Sequence, residues 1–169
     1  MPQAILFDPQ NNNSLVVIAD RYKVGGGVRG LELLSFDTQG NINWVTTYTG
    51  HGVENVSTTE LVIDAKGYTT IANNETFGPE PIMWTNNGVY INHSNPLNTE
   101  FRVFGIEMNA GESTIYAAGE TGPIGGQDAA IIRFPFDQNT TSYQYGLHWQ
   151  YDHHSTDESF HDLVLHNQG

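Results

Sequence analysis

One pattern recurs along the chain: an apolar run, a turn holding Asn, Asp or Gly, then a second apolar run that closes on small residues. It appears as Ile5-Leu6-Phe7-Asp8 leading to Leu15–Asp20, and as Leu61–Gly67 leading to Thr70-Ile71-Ala72-Asn73. It returns as Ile106–Gly111 leading to Ile115–Gly119, and opens once more at Leu163–Gly169. A unit of this kind cannot bury its own apolar face, so neighbouring copies must stack to make a core. The runs are short and bounded by Gly, Asn, Asp and Pro, which marks strands joined by tight turns.

Composition agrees with an all-β chain. Sixteen Asn, sixteen Thr and eighteen Gly favour turns and strands over helices. The one stretch with a trace of helical character, Thr58–Ala65, is short, carries β-branched residues and ends at Lys66-Gly67. The repeat spacing is close to ~50 residues, the period of four-stranded propeller blades. The expected fold is therefore β-propeller-type: about three blades plus one extra strand, in a single unit over 1–169. The blades fall at about 4–50, 58–95 and 101–152, and 159–169 starts a fourth with a strand at Phe160–Leu165. Within them, Asp37-Thr38-Gln39-Gly40-Asn41, Asn86-Asn87-Gly88 and Asp137-Gln138-Asn139 read as hairpin turns. Tyr143–Tyr151 reads as one strand, and Gly78-Pro79-Glu80-Pro81 as a rigid turn.

The third repeat carries a family resemblance. Ile115-Tyr116-Ala117-Ala118-Gly119-Glu120-Thr121-Gly122, followed by Gly125-Gly126-Gln127-Asp128-Ala129-Ala130-Ile131-Ile132-Arg133-Phe134, resembles the bacterial β-propeller repeat of the SBBP type. The first repeat matches through Gly26–Asp37, Gly40-Asn41 and Trp44–Gly50, while the second lacks the Gly-Xaa-Asp-Ala element. What the resemblance implies is a fold used in surface and virion proteins, with no defined chemistry.

Charge narrows the partners. Nineteen acidic residues against six basic ones give a net charge of -13, which repels a phosphate backbone, so nucleic acid is excluded as a partner. No apolar stretch has the length of a membrane span, and no membrane insertion is expected. The absence of cysteine removes disulfides and thiolate metal sites.

The densest polar cluster is Tyr151–Asp162. Its imidazoles and carboxylates at His153, His154, Asp157 and His161 are suitable ligands for a divalent metal, the one cofactor the sequence suggests. The spacing fits no established zinc pattern, and the same residues suit a polar loop between blades. Self-alignment sets Tyr48–Glu54 opposite Tyr151–Asp157 and so favours that loop. Neither Gly25-Gly26-Gly27 nor Gly125-Gly126 is a phosphate loop, since no Lys-Ser/Thr follows and no helix begins there. Five Asn-Xaa-Ser/Thr acceptors stand at Asn12, Asn55, Asn74, Asn92 and Asn139. Trp44, Trp84 and Trp149 suit packing between blades or stacking on sugar.

These features together lead to a non-enzymatic structural or binding component of a larger extracellular, cell-surface or virion assembly such as a phage tail or fibre. Its partners would be proteins or further copies of itself completing or extending the blade array, with surface glycans as a further class. The rivals are a lectin-like propeller, and an enzyme of the propeller hydrolase or lyase kind whose charged side chains would converge on the central channel.

Overall fold

Residues 2–22, 28–49, 56–74, 78–93, 101–122, 127–146, 148–151 and 159–165 are described by the computed structural model, and among them every regular element is a strand. The strands form three antiparallel sheets in chain order. β1 (Pro2–Asp8), β2 (Ser14–Tyr22), β3 (Val28–Phe36) and β4 (Ile42–Tyr48) make the first as a plain meander. In the second, β5 (Val56–Ser57) and β6 (Val62–Asp64) both pair with β7 (Gly67–Asn74), which is followed by β8 (Gly78–Trp84) and β9 (Tyr90–His93). In the third, β10 (Phe101–Asn109) and β11 (Thr114–Thr121) lead to β12 (Asp128–Asp137), against which both β13 (Ser142–Tyr143) and β14 (His148–Tyr151) pair. Among the described residues no helix is long and apolar enough to cross a membrane.

The hairpins share one device. The residue that opens each tight turn uses its side-chain oxygen to accept backbone N–H groups two to four residues on, which closes the chain locally without help from packing. Asp8 Oδ1 accepts from Gln10 and Asn11, and Asp64 Oδ1 from Lys66 and Gly67. Asn109 accepts from Glu112 in the same place of the third sheet. At the outer hairpins the capping residues are Asp37, Thr85 and Asp137.

Register then fixes which side chains share a face. Counted from the first ladder residue after each inner turn, namely Ser14, Gly67 and Thr114, the three sheets superpose position by position. One face carries Ile5, Phe7, Leu15, Val17, Leu34 and Phe36 in the first sheet. Its counterpart in the second is Leu61, Ile63, Tyr68, Thr70, Ile82 and Trp84. In the third it is Ile106, Met108, Ile115, Ala117, Ile132 and Phe134. The second sheet lays this face on Ala4, Leu6, Val16, Ile18, Leu31, Leu33 and Tyr48 of the first. The third lays it on Val62, Ile71, Met83 and Ile91 of the second. The first two sheets are thus apolar on both sides, and the core consists of two successive sheet-on-sheet layers. Ile82 and Trp84 are fully buried in the first layer, and Ile115 in the second. Truncating such a residue to alanine removes ~2–5 kcal/mol.

Three expectations are corrected. Gly78-Pro79-Glu80-Pro81 is no turn but the buried first half of β8, opposite Ala72 and its neighbours on β7. Pro79 and Pro81 share one parity, so their missing donors fall on one side of the strand. The described β9 ladder reaches only to Ile82, which leaves a strand able to hold both prolines. Tyr143–Tyr151 is divided into β13 and β14, and Gln144 and Gly146 bond back to Pro135 and Arg133 between them. Phe160–Leu165 forms no ladder among the described residues: Phe160 N–H donates to Gly119 O at 3.2 Å, and the segment runs beside Gly105.

Gly67, at the turn into β7, shows how closely the ladders approach. Its φ is +138°, and a Cβ there would lie 1.9 Å from the Trp84 carbonyl oxygen. Gly67→Ala is expected to lower unfolding stability by at least ~2 kcal/mol, read from the urea midpoint. Gly40→Ala, where φ is +85° but a Cβ meets nothing within 4 Å, isolates the backbone strain from the clash and should lose only about 1–2 kcal/mol.

Candidate functional site

Polar residues join the sheets at matching places. The second oxygen of each inner-turn aspartate reaches the following sheet. Tyr68 donates to Asp8 Oδ2 at 2.5 Å, and Tyr143 donates to Asp64 Oδ2 at 2.7 Å. Asp8 is completely buried. Burial first, and then the carboxylate neighbour, push the Tyr68 hydroxyl up to about 12 and raise that of Tyr143 well above the ordinary value. Lys66 completes the second junction, bonding Asp64 at 2.9 Å with its ammonium 4.5 Å from the Phe136 ring centre.

A second set lies six residues into each second strand, at Asp20, Asn73 and Glu120. Asp20 accepts the Thr58 N–H of the next sheet and a bond from Gln3, and burial raises its carboxyl above the usual range. Asn73 makes a reciprocal pair with Val103, donating to its carbonyl at 2.9 Å and accepting its N–H at 2.7 Å. Glu120, in the third sheet, accepts from Gln127 at 2.9 Å and faces Arg102 at 3.4 Å.

A further ionisable group of the first junction, Glu80, has no exposed surface either. Tyr48 donates to its Oε1 at 2.6 Å, and His93 Nε2 stands 3.9 Å from the same oxygen. The rings of Tyr48, Tyr90 and His93 stack around it, with centroid separations of 5.6–6.1 Å, and the Tyr90 hydroxyl meets His93 Nδ1. Burial, then the Glu80 bond, raise the Tyr48 hydroxyl far above its usual value. This cluster spans β4, β8 and β9, and its members are 32 or more residues from Tyr48 in the chain, so no local spacing exposed it. The Gly-Pro context of Glu80 also disguised it as a turn.

Among the described residues, one opening lies where the first strands of all three sheets meet. A cleft of about 420 Å³ is lined by Ala4–Leu6, Glu60–Ile63, Ile106–Met108 and Ala110. Its walls are aliphatic except for Glu60 and Glu107. Glu60 accepts the Ile106 N–H through Oε2, so it also ties the second sheet to the third. Burial raises its carboxyl above the ordinary 4.5, the Ile106 bond opposes this, and the charges of Asp162 and Glu107 add to the rise.

Of the metal-ligand candidates, His153, His154 and Asp157 lie outside the described residues. His161 stacks on Phe104 at 5.1 Å and pairs with Ser159 Oγ at 2.9 Å. Among the described residues no three His, Asp or Glu side chains gather as a metal set. Trp84 is buried, Trp44 packs on Tyr68 at 5.9 Å, and Trp149 is 52% exposed. The acceptors Asn12 and Asn139 stand in exposed turns, Asn92 is half-buried and donates to Thr140, and Asn55 is outside the described residues. The chain matches no protein-family model and no curated protein.

Two measurements check these contacts. Tyr48→Phe removes a donor from a fully buried carboxylate and should cost about 1–3 kcal/mol. In a double-mutant cycle with Glu80→Gln the two losses should not add, as expected of partners in direct contact. For Glu60, a raised carboxyl binds its proton more tightly folded than unfolded, so its ionisation costs stability as pH rises through the folded value. Glu60→Gln keeps an acceptor for Ile106. It should melt at or above the native chain at pH 7, with the difference vanishing once the pH falls below about 4.

Proposed function

We propose that this chain is a non-enzymatic structural or binding component, built of propeller-type blades, in a larger extracellular or virion assembly. The observation that carries the reading is the stacking of three consecutive antiparallel sheets through register-equivalent faces, with their first strands around one cleft. The polar groups between the sheets support it as well. Asp8, Asp64, Asn73 and Glu80 are each engaged in holding one sheet to the next, which is scaffold work. The resemblance of the third repeat to the bacterial propeller repeat points to the same architecture and to surface or virion settings. A ring of ~4–8 blades is the stable form of such an array, so three blades need further blades beside them, from other copies or other proteins.

A lectin-like role is the second reading. Trp149 and Tyr151 alternate on one face of β14, 52% and 53% exposed, a surface on which sugar rings stack. A glycan array with and without EDTA separates the two readings: binding to a defined glycan favours the lectin, and its loss with EDTA adds a divalent ion.

For the assembly reading, light scattering of the full chain should give a mass above 18.7 kDa that rises with concentration. A well-folded monomer at every concentration would overturn it.

A further inference from the structure

The first sheet presents outward the very face that the second and third sheets bury. Two straight rows cross its four strands: Ile5, Val17, Leu34 and Val45, then Phe7, Leu15, Phe36 and, across a bulge, Ile42. All eight are apolar. Ile5 is 69% exposed, Phe7 55%, Ile42 57% and Val45 47%. Their counterparts Ile82 and Trp84 are fully buried against the first sheet, and Phe134 is 1% exposed against the second. Among the described residues no sheet covers these rows.

The third sheet ends the array from the other side. Its outward face is the counterpart of the faces that receive the second and third sheets. It holds Tyr116, Ala118 and Glu120 on β11, Ile131 on β12, and Trp149 and Tyr151 on β14. Two register matches tie the end faces together. Tyr151, opposite Ala129, is the counterpart of Tyr48, opposite Leu31. Glu32, opposite Ala19, is the counterpart of Glu80, opposite Ala72. The pair that locks the first junction, Tyr48 to Glu80, is thus present again, with its tyrosine at one end of the chain's array and its glutamate at the other.

We infer that the outer face of the first sheet docks on the outward face of the third sheet of a second copy, with Tyr151 donating to the other copy's Glu32. This rests on the blade-assembly reading and names its partner and contact. Two copies joined at both ends close six sheets into one ring, within the range that propellers adopt. Ser159–Leu165 lie over Gly105 and Gly119, where β1 of the incoming copy would run. They join no ladder, and the incoming strand displaces them.

Sedimentation equilibrium on the full chain tests this. The native chain should reach twice its 18.7 kDa mass. Phe7→Asp blocks one face and Trp149→Asp the other. Both sites are more than half exposed, so circular dichroism should be unchanged. Each variant alone should sediment as a monomer, and an equimolar mixture should recover a dimer, because each supplies the face the other lacks. Tyr151→Phe and Glu32→Gln should each weaken dimerisation about tenfold, the double variant no more than either. Association that survives both aspartate variants overturns this interface and leaves the assembly reading standing. Loss in Phe7→Asp with retention in Trp149→Asp overturns it in favour of first face on first face. A native monomer at all concentrations overturns both.

Discussion

A single carboxylate at the end of a strand holds this fold together in two directions. Asp8 and Asp64 close their own hairpins with one oxygen and accept a tyrosine hydroxyl from the following sheet with the other. Local turn formation and the junction between sheets are therefore parts of one interaction. Removing the charge from water is tolerable because every bond to it is satisfied: backbone N–H groups on one side, a phenol on the other. A hairpin that formed with the wrong register would leave the carboxylate buried without its tyrosine, so the pairing also selects the stacking.

Apolar burial supplies most of the driving force, and polar contacts choose the arrangement. Sheets with apolar side chains on both faces could slide over one another at little cost. The reciprocal Asn73–Val103 bonds, the Tyr48–Glu80 pair and the Glu60–Ile106 bond fix the offset, because each aims a side chain of one sheet at a single place on the next. The same logic accounts for the buried acids of this chain. They are occupied by the scaffold, and the raised Tyr48, Tyr68 and Tyr143 hydroxyls stay protonated as donors. Where the first strands converge, only Glu60 and Glu107 give the cleft polarity.

Much of this was legible in the chain, but unevenly. The turns at Asp37, Asn86-Asn87-Gly88 and Asp137 were readable because their bonds span two to four residues. Strand identity was readable from β-branched and aromatic runs. Pro79 and Pro81 misled, since proline marks a turn unless the strand's neighbour leaves one side open. Of the four residues of the His-rich run read as metal ligands, only His161 lies among the described residues, where it stacks on Phe104, and composition says nothing about where a ring points.

By itself the sequence determined an all-β chain with a repeated strand-turn-strand unit, because hairpin closure and strand propensity act over a few residues. Which faces meet, and that Glu80, Tyr48, Tyr90 and His93 come together, was decided only by the tertiary structure. Successive side chains point to opposite faces, and near-continuous apolar runs make both faces of the first two sheets apolar, so the pattern cannot say which neighbour each will find. That choice depends on polar contacts between residues 30 to 80 positions apart, such as Tyr48 with Glu80, Tyr68 with Asp8 and Tyr143 with Asp64, which exist only once the sheets have stacked.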